Sequence, residues 1–160
     1  GRIERSRGEF WFYEEGVTPG VVRAIEALDR ERLALGLALG LDLAPVAAGF
    51  AAAGFGPASD DLWAVINGSR MLTALRAPGA LDTRWLSEDI PFGLASWAAL
   101  ADRLGIDTPT MDALCTLASA ALGRDLLIDR RGPEALGLAG LDAAGMVALA
   151  LGDTESRSAW

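Results

Sequence analysis

The chain has 160 residues, enough for one domain with its own core. Its formal net charge is −8, and all fourteen basic residues are scattered arginines, which argues against a nucleic-acid partner. There is no histidine and a single cysteine, Cys115. That excludes Ser-His-Asp and Cys-His pairs, histidine or paired-cysteine metal sites, and an internal disulfide, so no metal is expected.

The hydrophobic fraction is 51% and mean hydropathy is +0.27, both high for a free-standing soluble domain. Alanine and leucine dominate. The expectation is close helix packing together with an apolar face turned toward another domain or subunit. The longest apolar region, Leu33 to Phe55, is interrupted by Asp42 and Pro45. A membrane span needs about 20 uninterrupted apolar residues. Two core segments and no membrane partner are expected instead. Gly1 to Gly8 is polar and charged, unlike a secretory leader, and the single cysteine suits a reducing cytoplasm. A start at Gly1 without methionine reads as a piece of a longer polypeptide.

GEFWFYEEG, residues 8 to 16, places aromatic residues between acidic ones and reads as a short extended lead-in. Thr18-Pro19 then announces a helix, with threonine as N-cap and proline at the first helical position. Val22, Ile25, Leu28, Leu33 and Leu37 carry its apolar stripe to about Gly40, with Glu26, Asp29, Arg30 and Glu31 between them. Pro45 to Phe55 reads as a shorter apolar helix closed by Gly54 and Gly56. Ser59, followed by Asp60 and Asp61, starts another that carries Leu62, Trp63, Ile66, Met71 and Leu75 and stops before Pro78. Helices are then expected over Pro91 to Leu104, with Gly105 as C-cap, and from Thr108-Pro109 to Gly123. Pro133 to Leu151 suggests two short helices around Gly140, followed by a frayed tail from Gly152. No segment alternates long enough to build a sheet. The fold class is all-α, with about six or seven helices.

GFGPAS, residues 54 to 59, imitates the start of a dinucleotide fingerprint, but no strand precedes it and the third glycine is missing. Carboxylates, arginines, Tyr13 and a few hydroxyls are the remaining chemical tools. Any catalysis therefore has to borrow a base or cofactor from elsewhere. In TRWLSEDIPFGL, residues 83 to 94, spacing alone reads Glu88 and Asp89 as a helix start with Pro91 in its first turn.

Three stretches keep a common order and spacing: EGVTP at residues 15 to 19, R-x-x-x-ED-I-P-F-GL at 84 to 94, and TPT-x-DAL at 108 to 114. Together with their flanks over roughly residues 8 to 140, they resemble the C-terminal α-helical domain of the octopine/nopaline (opine) dehydrogenases. The resemblance implies one helical substrate/catalytic domain over residues 1 to 160, of the 6-phosphogluconate dehydrogenase C-terminal-like kind. Its partner would be an N-terminal Rossmann domain outside this chain, which binds most of the NAD(P)H. Such enzymes reductively join an α-keto acid to an amino acid, so this chain alone is expected to be inactive. The family's catalytic histidine lies just ahead of the region that begins here, which accounts for its absence.

Residue by residue, the resemblance implies that Asp89 is the aspartate paired with that histidine. Such a carboxylate fixes the imidazole tautomer and stabilises the imidazolium. Arg84 matches an arginine that reaches the cofactor pyrophosphate, a contact suited to a planar guanidinium fork. Asn67 and Trp85 fall on the substrate side. Trp85 and Phe92 stand where relatives often carry tyrosine, which makes the local pocket less able to hydrogen-bond. The resemblance also leaves room for a homodimer. Two other readings compete: the second domain of a related hydroxy- or keto-acid dehydrogenase, and a non-enzymatic all-α interaction module.

Overall fold

The computed structural model describes residues 1–152. Within them the chain is all-helical and forms no sheet; one isolated bridge joins Trp11 and Arg76. In chain order the helices are α1 (Arg2–Ser6), α2 (Phe12–Gly16), α3 (Pro19–Ala38), α4 (Val46–Ala52) and α5 (Leu62–Asn67). Then come α6 (Arg70–Thr73), α7 (Arg84–Ser87), a π-helical segment (Asp89–Leu94), α8 (Ala95–Arg103), α9 (Pro109–Leu122) and α10 (Ala143–Ala150). The chain is thus cut into more and shorter helices than its apolar pattern suggests. Beyond Gly152 the expected fraying of the tail lies outside the described residues.

α3 is the organising element: at 1.5 Å per residue its 20 residues span about 30 Å. It begins as expected, with Pro19 in its first turn and the Thr18 hydroxyl accepting from the Val21 N–H at 3.4 Å. Its polar residues depart from a plain solvated face. Asp29 is buried and accepts the Val46 N–H at 2.8 Å, which supplies the start of α4 with an acceptor. Arg32 neutralises Asp29 at 2.7 Å and donates to the Ala44 carbonyl at 2.7 Å, tying down the loop before α4. Glu31 accepts from Thr110 N at 2.7 Å and Met111 N at 2.9 Å. The start of α9 is therefore capped from α3, and the Thr108 side chain forms no cap bond of its own.

Four further boundaries differ from the sequence reading. The lead-in is extended only around Trp11, which pairs with Arg76; Phe12 then turns into α2. The helix expected from Ser59 starts at Leu62, because Asp61 accepts the Trp63 and Ala64 N–H groups. It breaks at Gly68, where Ser69 restarts the chain as the cap of α6. Only one helix forms between Pro133 and Leu151, with turns ahead of it.

Two apolar clusters hold these pieces. The first joins Val17, Val22, Ala47, Leu62, Val65, Ile66 and Leu72 from α3, α4, α5 and α6 and their connections. The second joins Ile90, Ala95, Cys115, Ala118 and Leu126. Cys115 is a core residue, and its burial pushes the thiol pKa up. The second cluster supports the turn that carries Asp89.

Candidate functional site

The segment from Arg84 to Arg103 would be one helix if nothing interrupted it. Pro91 has no N–H, and its ring opposes the carbonyl four residues earlier. The backbone widens instead: Phe92 N still bonds Glu88 O at 3.0 Å, but Ala95 N reaches back five residues to Ile90 O. The Pro91 carbonyl is taken by the buried Ser96 hydroxyl at 3.1 Å. Ile90 and Pro91 are buried beneath this turn, while Asp89 is exposed at its start.

Asp89 does not cap this helix. Its carboxylate accepts no hydrogen bond and forms no ion pair among the described residues. It borders a shallow groove of about 570 Å3, together with Glu88, Phe92, Gly93, Leu94 and Trp97. A more enclosed cavity of about 330 Å3 lies between α8, the start of α9 and residues 130–134; none of Asn67, Arg84, Trp85 and Asp89 lines it.

Arg84 opens α7, and its side chain is 83% exposed. Its Nε donates to both Glu88 carboxylate oxygens at 3.1 Å, one helical turn on. A pair this exposed adds little stability. It does orient the guanidinium while leaving both terminal nitrogens without a protein partner among the described residues. Trp85, the next residue, packs edge-on against Phe12, with ring centroids 4.7 Å apart. Phe12 in turn meets Tyr13 at 5.2 Å, and Tyr13 packs on the first apolar cluster, where burial raises its pKa. This aromatic relay fixes the position of α7 against α2.

The structure thus brings Arg84, Trp85 and Asp89 together on one continuous turn. Asn67 is elsewhere, at the end of α5 in the first cluster's helices, and its Nδ2 donates to the Trp63 carbonyl at 3.1 Å. No hydrogen bond links it to the Arg84–Asp89 turn among the described residues. Sequence reasoning did not single out Arg131, whose guanidinium lies 5.0 Å over the ring of Phe92, a residue that lines the groove. No motif around Arg131 signalled this. It also missed the π-helical widening, for which a proline two residues after Asp89 was the available clue.

Residues 1–122 match the family described as NAD/NADP octopine/nopaline dehydrogenase, alpha-helical domain. The chain belongs to this family. It is 31% identical over 137 residues to an opine dehydrogenase of Arthrobacter sp. (strain 1C), covering 86% of this chain and 38% of that protein. It is 28% identical over 136 residues to protein ocs of Agrobacterium vitis, covering 85% and 37%. The fold matches octopine dehydrogenase solved with NADH and L-arginine, at a TM-score of 0.68 and 20% identity, over 89% of this chain and 41% of that one. The complex with NADH and agmatine matches with a TM-score of 0.69. The family's relatives are thus oxidoreductases, and this chain spans about two fifths of their length. Among the described residues no helix is long and apolar enough to cross a membrane.

Proposed function

We propose that this chain is the substrate/catalytic half of a cytoplasmic opine-type dehydrogenase that condenses an α-keto acid with an amino acid. A dinucleotide-binding domain outside residues 1–160 would hold most of the NAD(P)H, and the isolated chain would not turn over. The observation that carries this reading is the exposed, unpartnered Asp89 on a π-helical turn within the matched family region. A carboxylate held out by a rigid turn, with no protein donor of its own, is suited to receive an N–H from another domain. Functional sites often use such π turns.

In this reading Asp89 accepts the ring N–H of a histidine supplied from outside the chain. That bond fixes the tautomer and stabilises the ring when it gains a proton, so the pair can move protons to and from the reacting nitrogen and oxygen. Arg84 fits a contact with a dinucleotide pyrophosphate: its guanidinium is exposed, and only Nε is engaged, by Glu88. The nicotinamide, when bound, supplies the hydride. Trp85 would line the cleft on the substrate side. Asn67 enters through its amide oxygen and its second amide N–H, since the Trp63 carbonyl takes only the first. Trp85, Phe92 and Trp97 remain exposed around the turn, and we assign this apolar surface to the second domain.

The test uses the complete two-domain enzyme. Asp89→Asn should lower kcat by about 10²- to 10⁴-fold, the usual contribution of acid–base chemistry. The NADH dissociation constant should stay within about twofold, since roughly 0.4 kcal/mol is the limit of that change. Wild-type turnover in the asparagine variant would sink the assignment.

A further inference from the structure

Opine formation joins two acids, so the site has to hold carboxylates. The groove beside Asp89 is poorly arranged for that on its own. Its rim carries Glu88 and Asp89, two negative charges that repel an anionic ligand, and Arg84 is occupied in part by Glu88. The arginine nearest the groove's Phe92 ring comes from beyond residue 122, outside the family match.

α9 ends at Gly123 in the left-handed region, φ 64°, and the chain doubles back across the Asp89 turn. Arg124 grips the Asp82 carboxylate with two bonds, at 2.7 and 3.3 Å, two residues before Arg84. Leu126 is buried beside Ile90, and Leu127 packs on the same cluster. The Leu126 and Leu127 N–H groups are taken by Ser119 Oγ at 3.2 Å and Asp125 Oδ1 at 2.8 Å. Past Arg131, Gly132 and Pro133 are buried, and Gly132 sits near Ala99 of α8. The segment is therefore anchored on both sides of Arg131.

Arg131 itself makes no ion pair or hydrogen bond among the described residues, although Glu88 and Asp89 border the groove that Phe92 lines. Its partner is the Phe92 ring, 5.0 Å from the guanidinium carbon. An arginine whose protein partner is an aromatic ring keeps its N–H fork free of protein acceptors. That fork matches a carboxylate in a bidentate way.

We infer that Arg131 is a substrate-binding residue, anchoring one carboxylate of the keto acid–amino acid pair from its seat over Phe92, which lines the groove with Asp89. This rests on the dehydrogenase reading above. Arg131 lies beyond residues 1–122, the matched family region. Phe92 serves as its platform, a use for a ring without a hydroxyl.

The experiment measures steady-state NADH oxidation by the complete two-domain enzyme, with pyruvate and 2-oxoglutarate each paired with the standard amino acids. Arg131→Gln should raise KM for one of the two organic substrates about ten- to hundred-fold, the loss expected for a charge-assisted contact. KM for NADH and the melting temperature should not move. Arg131→Lys should recover part of the loss. Phe92→Leu, which keeps the charge and removes its platform, should raise the same KM by a smaller factor. If Arg131→Gln leaves both organic KM values unchanged while Asp89→Asn abolishes turnover, the Arg131 assignment is overturned and the dehydrogenase reading stands. Wild-type enzyme that oxidises NADH with none of these pairs overturns both.

Discussion

Glu31 is the clearest place to test how the fold is held, because it caps a helix 79 residues away in sequence. Its two carboxylate oxygens receive the Thr110 and Met111 N–H groups at 2.7 and 2.9 Å, at the positive end of the 14-residue α9. Glu31→Ala removes both acceptors and leaves two N–H groups in a half-buried setting. Hydrogen bonds to a charged group contribute about 1.5–3 kcal/mol each, and loss of an N-cap alone costs about 0.5–2 kcal/mol. Water reaches this partly exposed junction and replaces some of the loss, so about 2–3 kcal/mol is expected for the pair. For a chain of this length that corresponds to a fall in Tm of about 5–10 °C. Thermal unfolding followed by circular dichroism at the helix band, with urea denaturation alongside, measures it. Thr108→Val is the control: its hydroxyl makes no cap bond, so the change should cost under about 1 kcal/mol. If Glu31→Ala costs less than Thr108→Val, α9 is not capped from α3 and the reasoning fails.

Three further outcomes follow from other contacts. Gly56 lies against the backbone of α5, where an added Cβ would come 2.1 Å from the Val65 carbonyl oxygen. Gly56→Ala should therefore lose about 1–3 kcal/mol in urea unfolding, and a neutral result would show that this approach is looser than it looks. The Glu15 carboxyl is held below the ordinary glutamate range, first by the Trp11 N–H and then by Arg2. A depressed carboxylate stabilises the native state above the unfolded value of about 4.3, and the effect is lost as pH falls through the folded pKa. The stability difference between wild type and Glu15→Gln should thus shrink on acidification from about pH 6 to pH 3; a difference independent of pH contradicts the assignment. In the proposed two-domain enzyme, Arg84→Ala should weaken NADH binding by about tenfold, the scale of one lost charge-assisted bond, and an unaltered dissociation constant removes the proposed cofactor role.

What the sequence by itself determined is local. Helical periodicity without alternation makes the chain all-α, and Thr18-Pro19 starts α3 because the cap lies within three residues of the groups it serves. Gly123 ends α9 in the left-handed conformation a glycine there suggests. The run from Arg84 to Leu94 was legible for the same reason: order and spacing within it sufficed to relate it to the opine dehydrogenases, and the turn brings Arg84, Trp85 and Asp89 together. Tertiary structure decided the rest. Thr108 looked like a cap, yet Glu31 serves α9; Asp29, one of the polar positions on α3, is buried at the start of α4. Pro91 looked like a helix start, but in continuous packing over Ile90 it widens the backbone into a π turn and frees Asp89 from capping. Asn67 remains with α5, apart from that turn. Arg131 reaches Phe92 only because the chain after Gly123 folds back over the second cluster. The contacts of Glu31, Asp29 and Arg131 join residues whose neighbours in sequence carry no trace of the partner, since proximity across helices is set by packing and not by spacing along the chain.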